Sequence, residues 1–266
     1  MPEYEVLALK YAWRPARRAS LFIGGDPHDA DATMDYYIWV VRAEEKLYLI
    51  DTGFNQDMAA KRGRTLLRTP LEALRLVGVA PEAVKQIIIT HFHNDHVGGL
   101  DAFSNAVFHV QDDEMDFATG RYMRHERFAK PFEPDHVCGL VRLAYKNRVV
   151  FHDGDEAIAP GLSLHRIGGH TMGLQAVRVH TKRGWLVLAS DASHYYEHFE
   201  TGRGFPLVYH VGELIEGYAK LKQLAASPQH VIPGHDPLVM HRYPPVSEAL
   251  RGIAVRLDEE PVSVAA

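Results

Sequence analysis

Residues Thr90–Gly99 read THFHNDHVGG and directly follow a run of three isoleucines. Three histidines and one aspartate fall within six consecutive positions of this stretch. Because strand side chains alternate between two faces, His91 and His93 should leave the end of the apolar run on the same side. Asp95 and His96 then follow on a turn. Neutral imidazoles and carboxylates suit Zn²⁺ and similar first-row ions, so the stretch predicts a metal-binding loop.

The alternative explanation is a chain that is merely rich in histidine, with 17 His among 266 residues. The other histidines argue against it, because they occur singly in strand-like runs where a solvent-facing or hydrogen-bonded role is expected. Examples of this group are His109, His152, His165 and His180. Only the 90–99 stretch has the spacing of metal ligands.

Composition places the chain among ordinary globular proteins, with 46% hydrophobic and 24% charged residues. A net charge of −5 argues against a nucleic-acid partner, and no apolar run is long enough to span a bilayer. Cys138 is the only cysteine, which excludes a disulfide framework and a thiolate zinc site. The acidic N-terminus lacks the features of a signal peptide. We therefore expect a cytoplasmic protein that acts on a small molecule.

Strand and helix patterns alternate along the chain, which is typical of an α/β layer architecture. Arg14, Arg17 and Arg18 form a small basic patch that we expect in a solvated turn. Residues 111–147 mix aromatic residues, prolines and charges, and they fit either a lid or a helical excursion with its own core. The predicted elements are strands at 4–11, 86–89, 162–167 and 230–232, hairpins at 36–50 and 176–189, and helices beginning at Thr69-Pro70 and spanning 213–224 and 246–257.

Three further polar residues each occupy the first turn after an apolar strand. His170 lies in the sequence Gly-Gly-His-Thr, Asp191 lies in Ser-Asp-Ala-Ser, and His235 lies in Pro-Gly-His-Asp. Any one of them alone would more often be an incidental loop residue. Together, in this order, they are difficult to attribute to coincidence.

The His91 to His96 stretch resembles the H-x-H-x-D-H signature of the metallo-β-lactamase superfamily, and the three later residues appear in the order that the resemblance requires. It implies an αββα sandwich, with one metallo-hydrolase domain over residues 1–266. That domain would consist of two similar αβ halves, about 1–150 and 151–266, with the site where they meet. The possible lid at 111–147 would lie within the first half.

The resemblance also implies a dinuclear site with two divalent ions, of which Zn²⁺ is the first choice and Fe, Co or Mn are alternatives. One ion would be bound by His91, His93 and His170, and the other by Asp95, His96 and His235, with Asp191 bridging both. Asp51, in an Asp-Thr-Gly turn, would support the ligand loop. A bridging hydroxide would attack a carbonyl, and Asp95 would pass a proton to the leaving oxygen.

Within the superfamily the chain is most similar to N-acyl-homoserine lactonases, in length, motif spacing and the sequence after Asp191. Those lactonases usually carry a tyrosine three residues after the bridging aspartate, where this chain has His194, followed by Tyr195. Either His194 donates to the developing oxyanion, or Tyr195 swings in, or the substrate is a different one. Both residues are therefore candidate catalytic residues, beside Asp95 and Asp191.

The resemblance leaves the substrate open. The first hypothesis is quorum-quenching opening of an N-acyl-homoserine lactone, and the alternatives are another lactone or ester in catabolism, or a glyoxalase-type thioesterase. The thioesterases use a basic pocket, for which Lys220, Lys222, Arg242 and Arg251 are available. A scaffold protein with a decayed site would not need to keep all seven ligands. The assembly is also open, with a homodimer as one arrangement.

Overall fold

The computed structural model describes residues 1–262, which form two β-sheets flanked by helices. The strands in this part of the chain are β1 Glu5–Arg17, β2 Asp31–Ala43, β3 Lys46–Ile50, β4 Thr65–Leu66, β5 Gln86–Ile88, β6 Val107–Gln111, β7 Val149–His152, β8 Glu156–Ala159, β9 Leu162–Arg166, β10 Gln175–Thr181, β11 Gly184–Ser190, β12 Val231–Pro233 and β13 Ala254–Arg256. The α-helices are α1 Gln56–Arg62, α2 Pro70–Leu76, α3 Asp112–Thr119, α4 Glu126–Ala129, α5 Pro134–Ala144, α6 Tyr196–Thr201, α7 Val211–Leu224 and α8 Leu238–Arg242.

The first sheet has eight strands in the order β13-β1-β2-β3-β5-β6-β7, and β4 pairs with β1. Strands β1 and β2 form a long antiparallel pair, and β3 completes a hairpin with β2. From β3 onward the neighbours β5, β6 and β7 run parallel. Parallel strands bring their carboxyl ends to one edge of the sheet, and the 90–99 stretch begins at that edge.

The second sheet has five strands in the order β12-β11-β10-β9-β8. Its strands β8 to β11 are antiparallel to their neighbours, whereas β12 runs parallel to β11. The loops that follow β11 and β12 therefore leave the sheet at the same edge.

Alternation along β1 explains how the layers pack. Leu7 and Leu9 point to one face of the first sheet and pack in a core with the apolar side chains of α2, α3 and α5. Val6 and Ala8 point to the other face and pack against the second sheet and α7. The layers run helix, sheet, sheet, helix, so the predicted α/β sandwich is confirmed.

Most of the predicted elements are present at the expected positions. Both hairpins form, and the helix predicted from Thr69-Pro70 is α2. The Thr69 hydroxyl accepts from the Glu72 backbone N–H, and the Glu72 carboxylate accepts from the Thr69 N–H, which closes a capping box. The prediction that the basic patch lies in a solvated turn is wrong for Arg14 and Arg17, because both lie in the extended strand β1.

The final helix predicted over 246–257 is also wrong. This region contains a 3-10 turn at Glu248–Leu250 and then strand β13, which pairs with the exposed edge of β1. Gly252 between them has φ +74°, a left-handed conformation that no α-helix continues through. The hydrogen-bonded pairing of β13 with β1 outweighs the helical periodicity of the apolar residues.

Residues 111–147 fold largely as α3, α4 and α5, and their function as a lid stays a prediction. The strands before residue 153 all belong to the first sheet, β8 to β12 form the second, and β13 returns to the first. The division into two similar halves stays a prediction as well. No helix within residues 1–262 is long and apolar enough to cross a membrane.

Candidate metal centre

Loops at the carboxyl ends of five strands converge on one buried point between the two sheets. Two of the loops begin with backbone in the left-handed region, at Asp51 after β3 (φ 61°) and at Ser190, the last residue of β11 (φ 47°). Such conformations are uncommon for residues other than glycine, and they turn the chain sharply toward the site. Gly234, after β12, lies against Ser190 so closely that a Cβ would approach its carbonyl oxygen to 2.7 Å.

The structure brings the predicted residues together in two clusters. The first contains His91, His93, His170 and Asp191, and the second contains Asp95, His96 and His235. Within each cluster one potential ligand atom of every residue lies within 4.8 Å of the others, and all seven residues are buried.

Asp191 faces both clusters with different oxygens. Its Oδ2 atom lies 3.3 Å from His170 Nε2 and 3.8 Å from His91 Nε2. Its Oδ1 atom lies 3.0 Å from His235 Nε2 and 3.5 Å from His96 Nε2. This carboxylate is therefore placed to contribute one oxygen to each of two adjacent cations.

The hydrogen-bond inventory of the centre tests whether cations fit there. Among the described residues, His91 Nε2, His96 Nε2 and Asp191 Oδ1 are buried and have no hydrogen-bond partner. Buried polar atoms in proteins are nearly always satisfied, and an unsatisfied one costs about 1–3 kcal/mol. Three such atoms aimed at one point, all of types that ligate first-row metals, fit a pair of bound cations. The clusters are thus consistent with a dinuclear metal site.

Neighbouring groups orient the imidazoles with one nitrogen toward the centre. His96 Nδ1 donates to Asp51 Oδ2 over 2.7 Å, and Asp51 in turn accepts from the Thr90 backbone N–H over 2.8 Å. His170 Nδ1 donates to the Leu207 carbonyl and His235 Nδ1 to a second backbone carbonyl, each over 2.7 Å. Such outer contacts select the tautomer whose Nε2 lone pair is free for a metal.

The charges of the centre also favour cations. Burial, together with the neighbouring imidazoles, lowers the pKa of His91 and His93 well below the usual value, so both are neutral as metal binding requires. Burial opposes charge on His96 too, but the carboxylates of Asp51, Asp191 and Asp95 outweigh it and raise the pKa of His96 to about 10. The acidic groups therefore attract positive charge into this buried site.

The two candidates after Asp191 have different environments. His194 is buried beside the centre, with Nε2 3.0 Å from Asp191 Oδ2, and its ring stacks on Phe205 with centroids 3.7 Å apart. Tyr195 points elsewhere, and its hydroxyl donates to the Thr33 carbonyl over 2.8 Å. Of the two, only His194 lines the cavity at the centre.

Two residues of the site were missed by sequence reasoning. Glu114 of α3 is buried and joins two ligand loops, because its oxygens accept from the Phe92 N–H over 2.9 Å and from the Gly173 N–H over 3.0 Å. Gly173 lies so close that a Cβ would come within 2.1 Å of the Glu114 backbone nitrogen. Arg64 lies 3.9 Å from Asp95 Oδ2. Neither residue has a sequence signal, since an isolated charged residue in a polar stretch predicts a solvated surface.

The comparisons with known proteins agree with this geometry. A model of the metallo-beta-lactamase superfamily matches residues 34–235. The match covers most of the chain and contains every residue of both clusters. This chain belongs to the metallo-beta-lactamase superfamily.

Curated relatives include an N-acyl homoserine lactonase of Bacillus cereus, 31% identical over 179 residues, which are 62% of this chain and 66% of that enzyme. An N-acyl homoserine lactonase of Agrobacterium fabrum is 27% identical over 172 residues, 58% of this chain and 61% of the enzyme. The chain thus aligns with about two thirds of the length of these relatives.

Solved structures resemble the whole fold. A quorum-quenching N-acyl homoserine lactone lactonase superposes with a TM-score of 0.74 at 23% identity, covering 89% of this chain and 93% of that one. A probable metal-dependent hydrolase from Staphylococcus aureus superposes with a TM-score of 0.72 at 15% identity, covering 98% and 96%. At these identities the likeness establishes the fold alone.

Proposed function

We propose that this chain is a metal-dependent hydrolase that opens a lactone ring, with N-acyl homoserine lactones as the first candidate substrates. The observation that carries the proposal is the placement of Asp191 between two buried ligand clusters. Two divalent ions held there would supply a water of lowered pKa and a Lewis acid for the carbonyl. The curated relatives support a lactone as the substrate.

Asp95 is suited to move a proton between the attacking water and the leaving ring oxygen. Burial alone would raise its pKa, but the Arg64 guanidinium, together with the neighbouring His96 and His235, holds the pKa of Asp95 well below its usual range. The carboxylate therefore enters the reaction ionised. From that state the carboxylate would accept a proton from the water and return it to the leaving ring oxygen.

His194 is suited to orient Asp191 and to face the substrate. Burial lowers the pKa of His194 to about 3, an effect that the Asp191 carboxylate only partly opposes. The imidazole is therefore neutral at pH 7, and its bond to an ionised carboxylate requires the proton to be on Nε2. Stacking on Phe205 fixes the ring plane, so His194 faces the cavity in a defined orientation.

Two cavities adjoin the centre. One of about 310 Å³ is lined by His93, Asp95, Asp191, His194 and His235 and would hold the reacting ring. The other, of about 260 Å³, lies on the side of His93 and His170, with walls that include Phe117, Phe128, Leu207 and Val208. Its apolar character suits an acyl chain, which supports the N-acyl homoserine lactones as first candidates.

A second candidate, another lactone with a charged substituent, is favoured by the basic residues in the first cavity. The thioesterase alternative finds less support. Of the residues considered for its basic pocket, Lys220 is paired with Asp155 at 2.7 Å and Arg251 with Glu248 at 2.7 Å. These cations are already neutralised outside the cavity.

A pH-indicator assay of ring opening tests the proposal on protein of measured metal content. The panel contains short- and long-chain N-acyl homoserine lactones, simple γ- and δ-lactones, and a glutathione thioester. We expect lactone opening that is lost with a chelator and in Asp191→Ala. Hydrolysis of the thioester alone would contradict lactone opening and would favour the thioesterase.

A further inference from the structure

The cavity over the metal centre has one strongly cationic wall. Among the described residues that line it, Arg14, Arg62, Arg64 and Lys130 are cations, of which Arg62 is paired with Glu133, whereas the carboxylates are those of Asp95 and Asp191. Both carboxylates belong to the ligand clusters. Two bound dications would already outweigh these two negative charges. Arg14 is therefore not needed to neutralise the centre, whereas Arg64 lies 3.9 Å from Asp95 Oδ2.

Arg64 is fixed in place by contacts on several sides. Its side chain is 12% exposed, and Nη1 donates to Asn94 Oδ1 over 2.7 Å. Its guanidinium carbon lies 4.6 Å from the ring centroid of Tyr36 and 4.9 Å from that of Phe54. An arginine held between aromatic rings keeps its plane and loses little conformational freedom when it binds an anion.

Arg14 lies on β1 and lines the same cavity as Tyr36 and Arg64. Burial raises the pKa of the Tyr36 phenol, and the guanidinium groups of Arg64 and then Arg14 oppose that shift. Within the described residues the Arg14 guanidinium donates to the carbonyl of its neighbour Pro15, at the long distance of 3.3 Å, and also lies beside the Tyr36 phenol. Among residues 1–262 it forms no ion pair with a carboxylate. Most of its five donors are thus free to bind a ligand.

We propose that Arg14 and Arg64 form a carboxylate-binding wall, and that the preferred substrates are lactones with an anionic substituent. This inference rests on the proposed function, since it specifies which lactones the same centre opens. A planar guanidinium matches a carboxylate with two parallel hydrogen bonds, and both guanidinium groups line the same cavity and act on the Tyr36 phenol. The N-acyl homoserine lactones have no such group, so the wall favours the second candidate substrate class over the first.

A matched pair of probes tests the wall: γ-carboxy-γ-butyrolactone and its carboxamide, which differ in charge and little in shape. We expect the wild-type chain to prefer the carboxylate by at least about tenfold in kcat/KM, the size of one charge-assisted contact. Arg14→Gln should bring that ratio close to one, and added salt should lower it in the wild type. The control is Arg17→Gln on the same strand. Arg17 is paired with Asp29 and Asp31 away from the cavity, so the ratio should not change.

Calorimetric binding of hydroxyglutarate, the ring-opened acid, provides a readout independent of turnover. The wild type should bind it at least about tenfold more tightly than Arg14→Gln does. Equal binding of hydroxyglutarate by the two proteins would overturn the proposal of a carboxylate-binding wall. A wild-type ratio of kcat/KM for the carboxylate over the carboxamide near one would overturn it as well. If hydroxyglutarate binding depends on Arg14 but no lactone is opened, the proposal of a carboxylate-binding wall is supported and the proposed lactonase activity is contradicted.

Discussion

His194 donates from Nε2 to Oδ2 of Asp191 over 3.0 Å, so the residue three positions after the shared carboxylate is held against it. The bond joins the carboxylate between the two clusters to a ring that faces the substrate cavity. The sequence resemblance to lactonases implies a tyrosine at this position, and this chain has His194 instead. The different residue is therefore tied directly to the ligand that both ions would share.

We predict that His194→Phe lowers kcat for lactone opening by about 10–100-fold, since the imidazole that orients the shared Asp191 carboxylate through Nε2 would be lost. Tyr195→Phe is the matched variant. Its phenol is bound to Thr33 in another direction, so kcat should change by less than about twofold while stability falls by about 1 kcal/mol. Steady-state kinetics with metal analysis measures both. A larger loss in the Tyr195 variant would instead favour the tyrosine as catalytic residue.

Asp51→Asn should weaken binding of one metal ion by about 10–100-fold, because the carboxylate that orients His96 would be lost. Competition with a chromophoric chelator measures the affinity. Asp258→Asn is the control, since Asp258 is also buried but bonds to the Val6 N–H and to Arg256. If both variants retain metal equally well, Asp51 does not support the centre.

Glu114→Gln should destabilise the fold by about 2 kcal/mol, because an amide cannot accept from both the Phe92 and Gly173 N–H groups as the carboxylate does. Urea unfolding measures the loss. Glu216→Gln, an exposed position on α7, should stay within about 0.5 kcal/mol of the wild type. Equal stability of all three proteins would show that Glu114 does not clamp the loops.

His109 should make stability depend on pH between about 4 and 6.5. Burial, assisted by His152, lowers the pKa of His109 to about 4 in the folded chain. As pH falls through 6.5 the unfolded chain gains a proton that the folded chain does not, so stability falls with decreasing pH by about 2–3 kcal/mol. The free energy of unfolding of the wild type and of His109→Gln is measured from pH 7 to 4. The difference between the slopes of the two proteins against pH isolates the contribution of His109. Parallel slopes would contradict it.

Sequence reasoning was most successful where the signals are local. The spacing of His91, His93 and Asp95 is contained in one loop, and the later ligands follow recognisable strands, so the residues that meet in the structure could be named beforehand. The alternation of strand and helix patterns likewise predicted an α/β layer architecture, and the resemblance to the superfamily implied the sandwich. The layers pack together because central strands such as β1 bury both faces.

The failures concern contacts between distant segments. No local pattern shows that Glu114 would reach Phe92 and Gly173, or that Arg14 would line the cavity instead of a solvated turn. The apolar residues near the C-terminus repeat with a helical period, yet the free edge of β1 pairs with them as a strand. Partners that are far apart in sequence decide these cases.

Measuring bound metal and the rate of lactone opening on the same samples tests the central claim most directly. Protein freed of metal should open no lactone, and titration with Zn²⁺, Fe²⁺, Co²⁺ or Mn²⁺ should restore the rate up to two ions per chain. Asp191→Ala, which removes the shared carboxylate, should bind less metal and stay inactive. Full lactone opening by metal-free protein, or two bound ions with no opening of any lactone, would contradict the account.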